Sequence, residues 1–504
     1  MQCDEHELMW RQLLSSPAQG GTLLQARLRT ALVGAILDGR LPPGAKLPSG
    51  RDLAVLAGVS RNTVVLVYER LVSDGYLEAR ARDGFYVCSA IDRADVAHVG
   101  GAQASGRPDW QARTARLQES FRWLDRPSGW EKFRYPFVYG QFDSSLFPLA
   151  HWRECSRRAL EVAAVEHWAQ DSTGGDAAAL VDQLIRRVLP RRGIAATPDQ
   201  ILLTLGTQHG LYLLADLFAR EGTRIGVEDP GYMDARNIFA HRRAQIVPLP
   251  VDAQGVACTP ALAECDYVYC TPSHQCPTGV TMSTERRLAL LDHATRHDQI
   301  IIEDDYDPET QYLGQPLPAL KAIDKSDRVI YLSSLSKLLS PGLRIGYIVA
   351  PASVIERLRV IRRLMVRQVP GNNQIAAALF IEHGHYDRLL TQTRQTLGAR
   401  AGAVGDALRR HLPDACFEPP RGGSALWLRL PGHPDLAALR AASIAEKLIY
   451  DPGEPFFHGA MTQPHLRLGF SSIPLERIEP GVQTLARLVR QCMRRAGARA
   501  TMQT

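Results

Sequence analysis

Between residues 201 and 349 short continuous apolar runs, at 201–204, 224–227, 267–270, 300–302, 329–332 and 345–349, alternate with stretches of helical periodicity. A run of four to six apolar residues without polar alternation reads as a strand buried on both faces. Alternation with helices supplies that cover and gives an α/β fold built on a mostly parallel sheet. Nearer the C-terminus, 425–430 and 465–470 alternate apolar and polar residues, as expected for a smaller antiparallel α+β subdomain. With 45% hydrophobic and 22% charged residues among 504, the composition is that of an ordinary globular protein and excludes collagenous, largely disordered and coiled-coil chains. No run reaches the roughly 18–20 apolar residues of a membrane-spanning helix, and the acidic start lacks a signal peptide's order, so a cytoplasmic protein is expected. The cysteines contain no C-x-x-C pair. Free thiols are therefore expected, with neither a disulfide framework nor a metal site.

The first 90 residues follow a different pattern. Leu24, Leu28, Leu32, Ile36 and Leu37 recur at helical spacing, and glycine and proline at 39–44 end that helix. Ser49 is placed to cap a second helix carrying Leu53, Val55 and Leu56 inward, and a third helix spans about 60–73. Two short strands, 75–80 and 84–87, follow. Helix, turn, helix and ribbon in this order outline a winged helix-turn-helix, whose third helix fits a major groove. Arg61, Asn62 and Thr63 occupy the first turn of that helix, Val64, Val67, Tyr68 and Leu71 supply its packing face, and Arg51, Lys46, Arg80 and Arg82 add charge around the same surface. Residues 22–88 carry nine Lys or Arg against six acids, so the location of the charge matters more than its sum. The alternative is a protein-binding winged helix with solvated arginines. Residues 41–87 resemble, over their whole length, the winged-helix domain of the GntR family of bacterial regulators. The resemblance implies DNA contacts from Arg51, Ser60, Arg61, Asn62 and Thr63, and a wing at Arg82–Gly84 that approaches the minor groove. Residues 20–88 are thus read as the DNA-binding domain, 89–118 as a flexible linker rather than a packed loop, and 119–498 as an effector domain.

In a parallel sheet, ligands bind at the carboxyl ends of the strands. Four such ends here are chemically unusual: Glu303-Asp304-Asp305-Tyr306, Ser333-Ser334-Leu335-Ser336-Lys337, Leu205-Gly206-Thr207-Gln208 and Glu228-Asp229-Pro230-Gly231-Tyr232. One cofactor accounts for all four. Pyridoxal 5′-phosphate needs an amine for a Schiff base, a carboxylate for its pyridine nitrogen, an anion cradle and a flat surface to stack on. Only six lysines exist, and Lys337 is the one in a strand-end turn of this kind. Gly206, Thr207 and Gln208 at a helix N-terminus suit phosphate, and Ser334, Ser336 and Arg344 complete that cradle. Taken singly, each feature has a structural explanation. Their joint occurrence in one sheet is what carries the reading.

The segments TPSHQCPTG (271–279), IIEDDYD (301–307) and SSLSKLLSPGLRIGYI (333–348) resemble fold-type I aminotransferases. Together with the N-terminal unit the chain resembles the MocR subfamily of GntR regulators. The resemblance implies Lys337 as the aldimine lysine, Asp304 as partner of the pyridine nitrogen, Tyr306 beside the ring O3′, Tyr232 as the stacking aromatic, Arg344 at the phosphate and Arg467 as the clamp for a ligand carboxylate. Cys276 departs from the pattern, standing where relatives have an aromatic residue or asparagine, and 168–176 lacks their Tyr-Gly-Asp-Pro. The resemblance also implies a homodimer that binds promoter DNA and senses a small amine or amino acid as an aldimine. Two alternatives use the same scaffold, an active aminotransferase with a secondary DNA-binding domain and a regulator without cofactor.

Overall fold

The computed structural model describes residues 10, 24–89, 108–114, 121–141, 143–170, 175–308 and 310–501. The chain divides into two compact units, residues 1–114 and 115–504. Most of the stretch read as a linker lies outside the described residues. Within it, 108–114 is described and contains one short helix, Trp110–Arg113.

In the first unit, α1 (Leu24–Leu37), α2 (Gly50–Ala57) and α3 (Arg61–Ser73) precede the antiparallel pair β1 (Leu77–Arg80) and β2 (Gly84–Val87). Ser49 caps α2 by accepting from the Asp52 N–H, and Ser60 caps α3 by accepting from the Thr63 N–H. Val64, Val67, Tyr68 and Leu71 are buried as their spacing requires, and Tyr68 donates its hydroxyl proton to the Pro48 carbonyl at 2.9 Å. Three expected core residues are not in the core. Leu24, Leu37 and Val55 are exposed, because Leu37 and Val55 sit one and two residues from Ile36 and Leu53, which hold the buried faces, and Leu24 is the first residue of its helix.

The second unit is centred on an eight-stranded sheet, β4 (Ile201–Thr204), β5 (Arg224–Asp229), β6 (Gln245–Asp252), β7 (Gly255–Val256), β8 (Tyr267–Cys270), β9 (Ile300–Asp305), β10 (Val329–Ser334) and β11 (Gly346–Val349), in the order β4-β11-β10-β9-β8-β5-β6-β7. The five strands from β10 to β6 in that order are parallel. β11 is antiparallel to both its neighbours, since the chain returns from β10 through the loop 335–345 with no crossover helix. β6 escaped the sequence reading because Pro248 and Pro250 interrupt its pattern. Separate apolar clusters, one containing Leu202, Leu332 and Ile348 and another containing Leu203, Tyr331 and Tyr347, cover alternate side chains of the same strands, which is why these strands read as continuous apolar runs. Each such buried side chain contributes roughly 1.5–3 kcal/mol.

A second sheet, β12 (Ala425–Arg429), β14 (His465–Gly469), β13 (Leu448–Pro452) and β3 (Tyr135–Phe137), is mixed rather than antiparallel, because β3 pairs parallel with β13. Flanking helices include α4 (Leu149–Ala159), α5 (Thr207–Phe218), α6 (Gly371–Glu382), α7 (His385–His411) and α8 (Leu475–Thr501). Among the described residues no helix is long and apolar enough to cross a membrane.

Candidate cofactor and DNA-binding sites

The strand ends of the large sheet meet in one cavity lined by Tyr139, Gly206, Thr207, Gln208, Tyr232, Cys276, Asp304, Tyr306, Ser334, Ser336, Lys337 and Arg344. Ten of these were expected from sequence, and the fold brings all ten together. Asp304 is not beyond its strand but inside it. β9 runs on to Asp305 and β10 to Ser334, because the carboxylates that would end an apolar strand find buried donors. Glu303 accepts from the Leu320 and Lys321 N–H groups, and Asp305 is paired with Arg192 at 2.8 Å and takes the Tyr331 hydroxyl at 2.8 Å.

Asp304 is nearly inaccessible. Its Oδ2 accepts the Tyr269 hydroxyl at 2.8 Å, while its Oδ1 has no partner. Burial pushes its pKa up to about 7, against the lowering by the Tyr269 bond and Lys337. A buried carboxylate oxygen left without a donor, at the floor of a cavity, fits a ring N–H that the protein itself does not supply. Opposite, the Lys337 side chain stands free in the cavity, yet protein surrounds it closely enough that desolvation lowers its pKa from the ordinary lysine value. Its Nζ lies 4.5 Å from the centre of the Tyr139 ring, and a Cβ on Gly140 would come within 2.8 Å of it.

The cradle is built at the start of α5. Gly206 has φ 81°, and a Cβ there would meet the Arg344 guanidinium at 3.2 Å, so only glycine lets backbone and arginine share the space. The N–H groups of Thr207 and Gln208 have no intrahelical acceptor. Arg344 donates to the Leu205 carbonyl at 2.8 Å. The Ser334 and Ser336 hydroxyls face the cavity but are already engaged with the Ile345 backbone, donating to its carbonyl at 2.8 and 3.2 Å. They are as much braces of the lysine loop as cradle groups.

The two tyrosines that the resemblance named both line the cavity, and each has a hydrogen-bond partner within the protein. The Tyr232 hydroxyl donates to Gln208 Oε1 at 2.9 Å and to Asp234 at 3.1 Å, fixing its ring at the cavity wall. The Tyr306 hydroxyl donates to the His274 carbonyl at 2.6 Å, so it already has a partner in the protein. Cys276 is buried on the same wall, with its thiol pushed up to about 11 by burial.

Arg467, on β14, is buried, and its guanidinium lies 3.7 Å above the Tyr139 ring. Its register neighbour Asp451 is taken by Arg126 at 2.9 Å and by the Tyr139 N–H at 3.2 Å. Among the described residues Arg467 has no carboxylate partner, and its Nε is without an acceptor. Tyr139 and Gly140, which connect Arg467 to Lys337, were not read from the sequence. The strand that delivers them has three residues with Pro136 at its centre, and the only signal was an apolar run ending in glycine.

These residues fit pyridoxal 5′-phosphate, on the unpartnered Asp304 oxygen and the glycine-bounded cradle. A prediction follows for the cofactor-free protein. A carboxyl whose folded pKa is raised to about 7 binds a proton that the unfolded chain has released, so between about pH 4 and 7 stability falls as pH rises. Denaturant unfolding of the wild type is expected to show a steeper loss from pH 5 to 7.5 than Asp304→Asn, which cannot titrate. Equal slopes would show that Asp304 does not titrate in that range.

In the first unit, Arg61 and Asn62 are exposed in the first turn of α3, Arg51 is exposed at the start of α2 and Arg82 and Gly84 at the ribbon turn. Arg51, Arg61 and Arg82 have no acidic partner among the described residues. Lys46 and Arg80, by contrast, are tied to Asp83 and Glu78. Ser60 and Thr63 are joined at 2.8 Å through their hydroxyls as part of the cap.

Comparison with known proteins agrees with both halves. Residues 24–87 match the family of bacterial regulatory proteins, gntR family, and residues 141–485 match aminotransferase class I and II. The chain is 38% identical to the HTH-type transcriptional regulator TauR of Rhodobacter capsulatus, over 93% of this chain and 96% of that one. It is 31% identical to the probable rhizopine catabolism regulatory protein MocR of Rhizobium meliloti, over 92% and 93%. Among solved structures, the α-aminoadipate aminotransferase LysN of Thermus thermophilus, complexed with N-(5′-phosphopyridoxyl)-L-leucine, is similar with TM-score 0.69 and 27% identity, covering 77% of this chain and 99% of that one. The kynurenine aminotransferase of Pyrococcus horikoshii gives TM-score 0.67 and 28% identity, covering 72% and 92%. With a GntR winged helix joined to a pyridoxal phosphate-dependent aminotransferase fold, and with full-length regulators as relatives, the chain belongs to the MocR subfamily of GntR-type transcriptional regulators.

Proposed function

We propose that this regulator binds promoter DNA through α3 and its wing, and changes its DNA affinity when a small amine or amino acid carrying an acidic group occupies the cavity around Lys337. The observation that carries the reading is Arg467, a buried cation without a carboxylate partner, set against the same tyrosine ring as the Lys337 amine. Bound pyridoxal phosphate supplies an aldehyde that condenses reversibly with primary amines and a ring that withdraws electrons. The rest is the work of the chain. Lys337, its pKa lowered by desolvation, keeps more of its amine unprotonated and nucleophilic than an exposed lysine does. Asp304 Oδ1 accepts the pyridine N–H, Gly206, Thr207, Gln208 and Arg344 hold the phosphate, and Tyr232 bounds the ring. Arg467 orients the ligand by a bidentate bond to its carboxylate, so that the ligand amine faces Lys337.

On α3, Arg61 and Asn62 face base edges, while Arg51, Ser60 and Thr63 serve the phosphates and the turn at Arg82–Gly84 serves the minor groove. We place the protein in the cytoplasm as a homodimer with two heads on a paired DNA site. The two arrangements of the heads differ in ligand affinity, so occupancy shifts the population and DNA affinity follows.

The test is operator binding by the pyridoxal phosphate-loaded protein across a panel of amines and amino acids. An acidic amino acid or amine is expected to shift the affinity, and Arg467→Ala to raise the concentration needed by at least about thirtyfold, the equivalent of roughly 2 kcal/mol for a buried charge pair. A response unchanged in Arg467→Ala, or no response to any amine, defeats the reading. The desolvated lysine beside the free Asp304 Oδ1 also favours a second reading, an active aminotransferase, because Lys337 can serve proton transfer as well as attachment. Steady keto-acid release from amino acids would establish it.

A further inference from the structure

On the second unit, three metal-ligating side chains outside the Lys337 cavity meet at one place, with His151 stacked beside them. His151 and Cys155 are four residues apart on α4 and so share a face. His383 caps the end of α6, Gly384 turns the chain in the left-handed conformation, and His385 opens α7. The Cys155 sulfur and one ring nitrogen from each of His383 and His385 lie within 4.8 Å of one another. The His151 ring stacks on His385 with centroids 4.0 Å apart. Neither His151 nor His385 has a hydrogen-bond partner among the described residues, so their ring nitrogens are unclaimed by the protein. His383 Nε2 lies 2.9 Å from Arg158 Nη1; arginine can only donate, so that nitrogen carries a lone pair.

We propose that Cys155, His383 and His385, with a solvent molecule as fourth ligand, form a Zn²⁺ site that ties α4 to the turn between α6 and α7. One thiol and two imidazoles make a donor set of the borderline-soft kind that zinc takes, and hard cations such as Mg²⁺ avoid. Tetrahedral zinc, with Zn–N of about 2.0–2.1 Å and Zn–S of about 2.3 Å, holds ligand atoms about 3.3–3.6 Å apart. The three donors therefore close by about 1 Å, within the reach of side-chain rotation on two helices already packed together. Zn²⁺ binding releases the Cys155 thiol proton to solvent as the Zn–S bond forms. The sequence showed no zinc spacing because the ligands come from segments more than 220 residues apart, at 155 and 383–385.

The test uses untagged full-length protein with its cofactor fixed by borohydride reduction and its metals removed by chelator dialysis. Titration with Co²⁺ is expected to give, at one equivalent, the intense absorption of tetrahedral cobalt with a thiolate-to-metal charge-transfer band, displaced stoichiometrically by Zn²⁺. Cys155→Ser is expected to erase the charge-transfer band. His383→Ala, at an exposed ring, is expected to weaken Zn²⁺ binding by more than the roughly 10–100-fold that an outer-shell change costs. Should Cys155→Ser not fold, His383→Ala and His385→Ala decide. Pale octahedral cobalt, no stoichiometric binding, or titration curves unchanged by the histidine substitutions would overturn the site.

Discussion

Lys337→Ala protein is expected to hold no covalently attached pyridoxal phosphate. Its visible absorbance should fall to that of free cofactor, borohydride should fix no pyridoxyl group to the chain, and the amine-dependent change in operator affinity should vanish. The operator affinity of the protein without amine is expected to stay within about threefold of wild type, since the winged helix belongs to another unit. Lys337 alone among the lysines stands in the cavity with Asp304. Lys46 is paired with Asp83 in the winged helix, Lys321 is paired with Asp327, and Lys447 lies over the Phe133 ring. No other amine is placed to replace it. A Lys337→Ala protein that still traps pyridoxyl on the chain would remove the basis of the proposed sensing.

Arg192→Met is expected to cost about 3–5 kcal/mol, the range for breaking a buried ion pair from one side. Arg192 and Asp305 are almost wholly inaccessible, and the arginine also donates to the Leu317 carbonyl at 3.0 Å and the Ser273 hydroxyl at 2.8 Å. Burial alone pushes the Asp305 carboxyl up, but the Arg192 charge and the bonds from Ser273, Tyr331 and Arg192 outweigh it and hold the pKa below the ordinary carboxylate range. A group whose folded pKa is depressed stabilises the fold above its unfolded value and loses that contribution as pH falls through the folded one. The deficit of Arg192→Met relative to wild type should therefore be full above about pH 5 and shrink in acid, below the ordinary aspartate pKa of about 3.9. Melting of the second unit from pH 3 to 7 measures it, and a deficit under about 1 kcal/mol at pH 7 would contradict the assignment. Because Asp305 follows Asp304 in β9, pyridoxal phosphate affinity should fall as well.

Arg192 also marks where sequence reading stopped. The Lys337 loop, the glycine cradle and the helix of Arg61 were legible because each is a local pattern: a strand, a turn and a helix start within a dozen residues. Asp304 was legible as a carboxylate at a strand end, but its distinction from Glu303 and Asp305 came only from the resemblance to aminotransferases. All three are buried and all three receive donors, and what separates them is that Asp304 lines the cavity while Glu303 and Asp305 do not. Tyr269 lies 35 residues from Asp304 and Arg192 lies 113 from Asp305. Tyr139 had no strand pattern to announce it, and it is the residue that sets Arg467 beside Lys337.

By itself the amino-acid sequence determined the two folds, their order and the chemistry of the strand ends, because apolar periodicity, caps and turns act between residues close along the chain. Tertiary structure alone decided which carboxylate turns a free oxygen to the cavity, that Arg467 is buried without an acid, and which cysteine and histidines converge. Those outcomes depend on charge partners and hydrogen-bond donors brought from distant segments, and a buried polar group is defined by what surrounds it rather than by its neighbours in sequence.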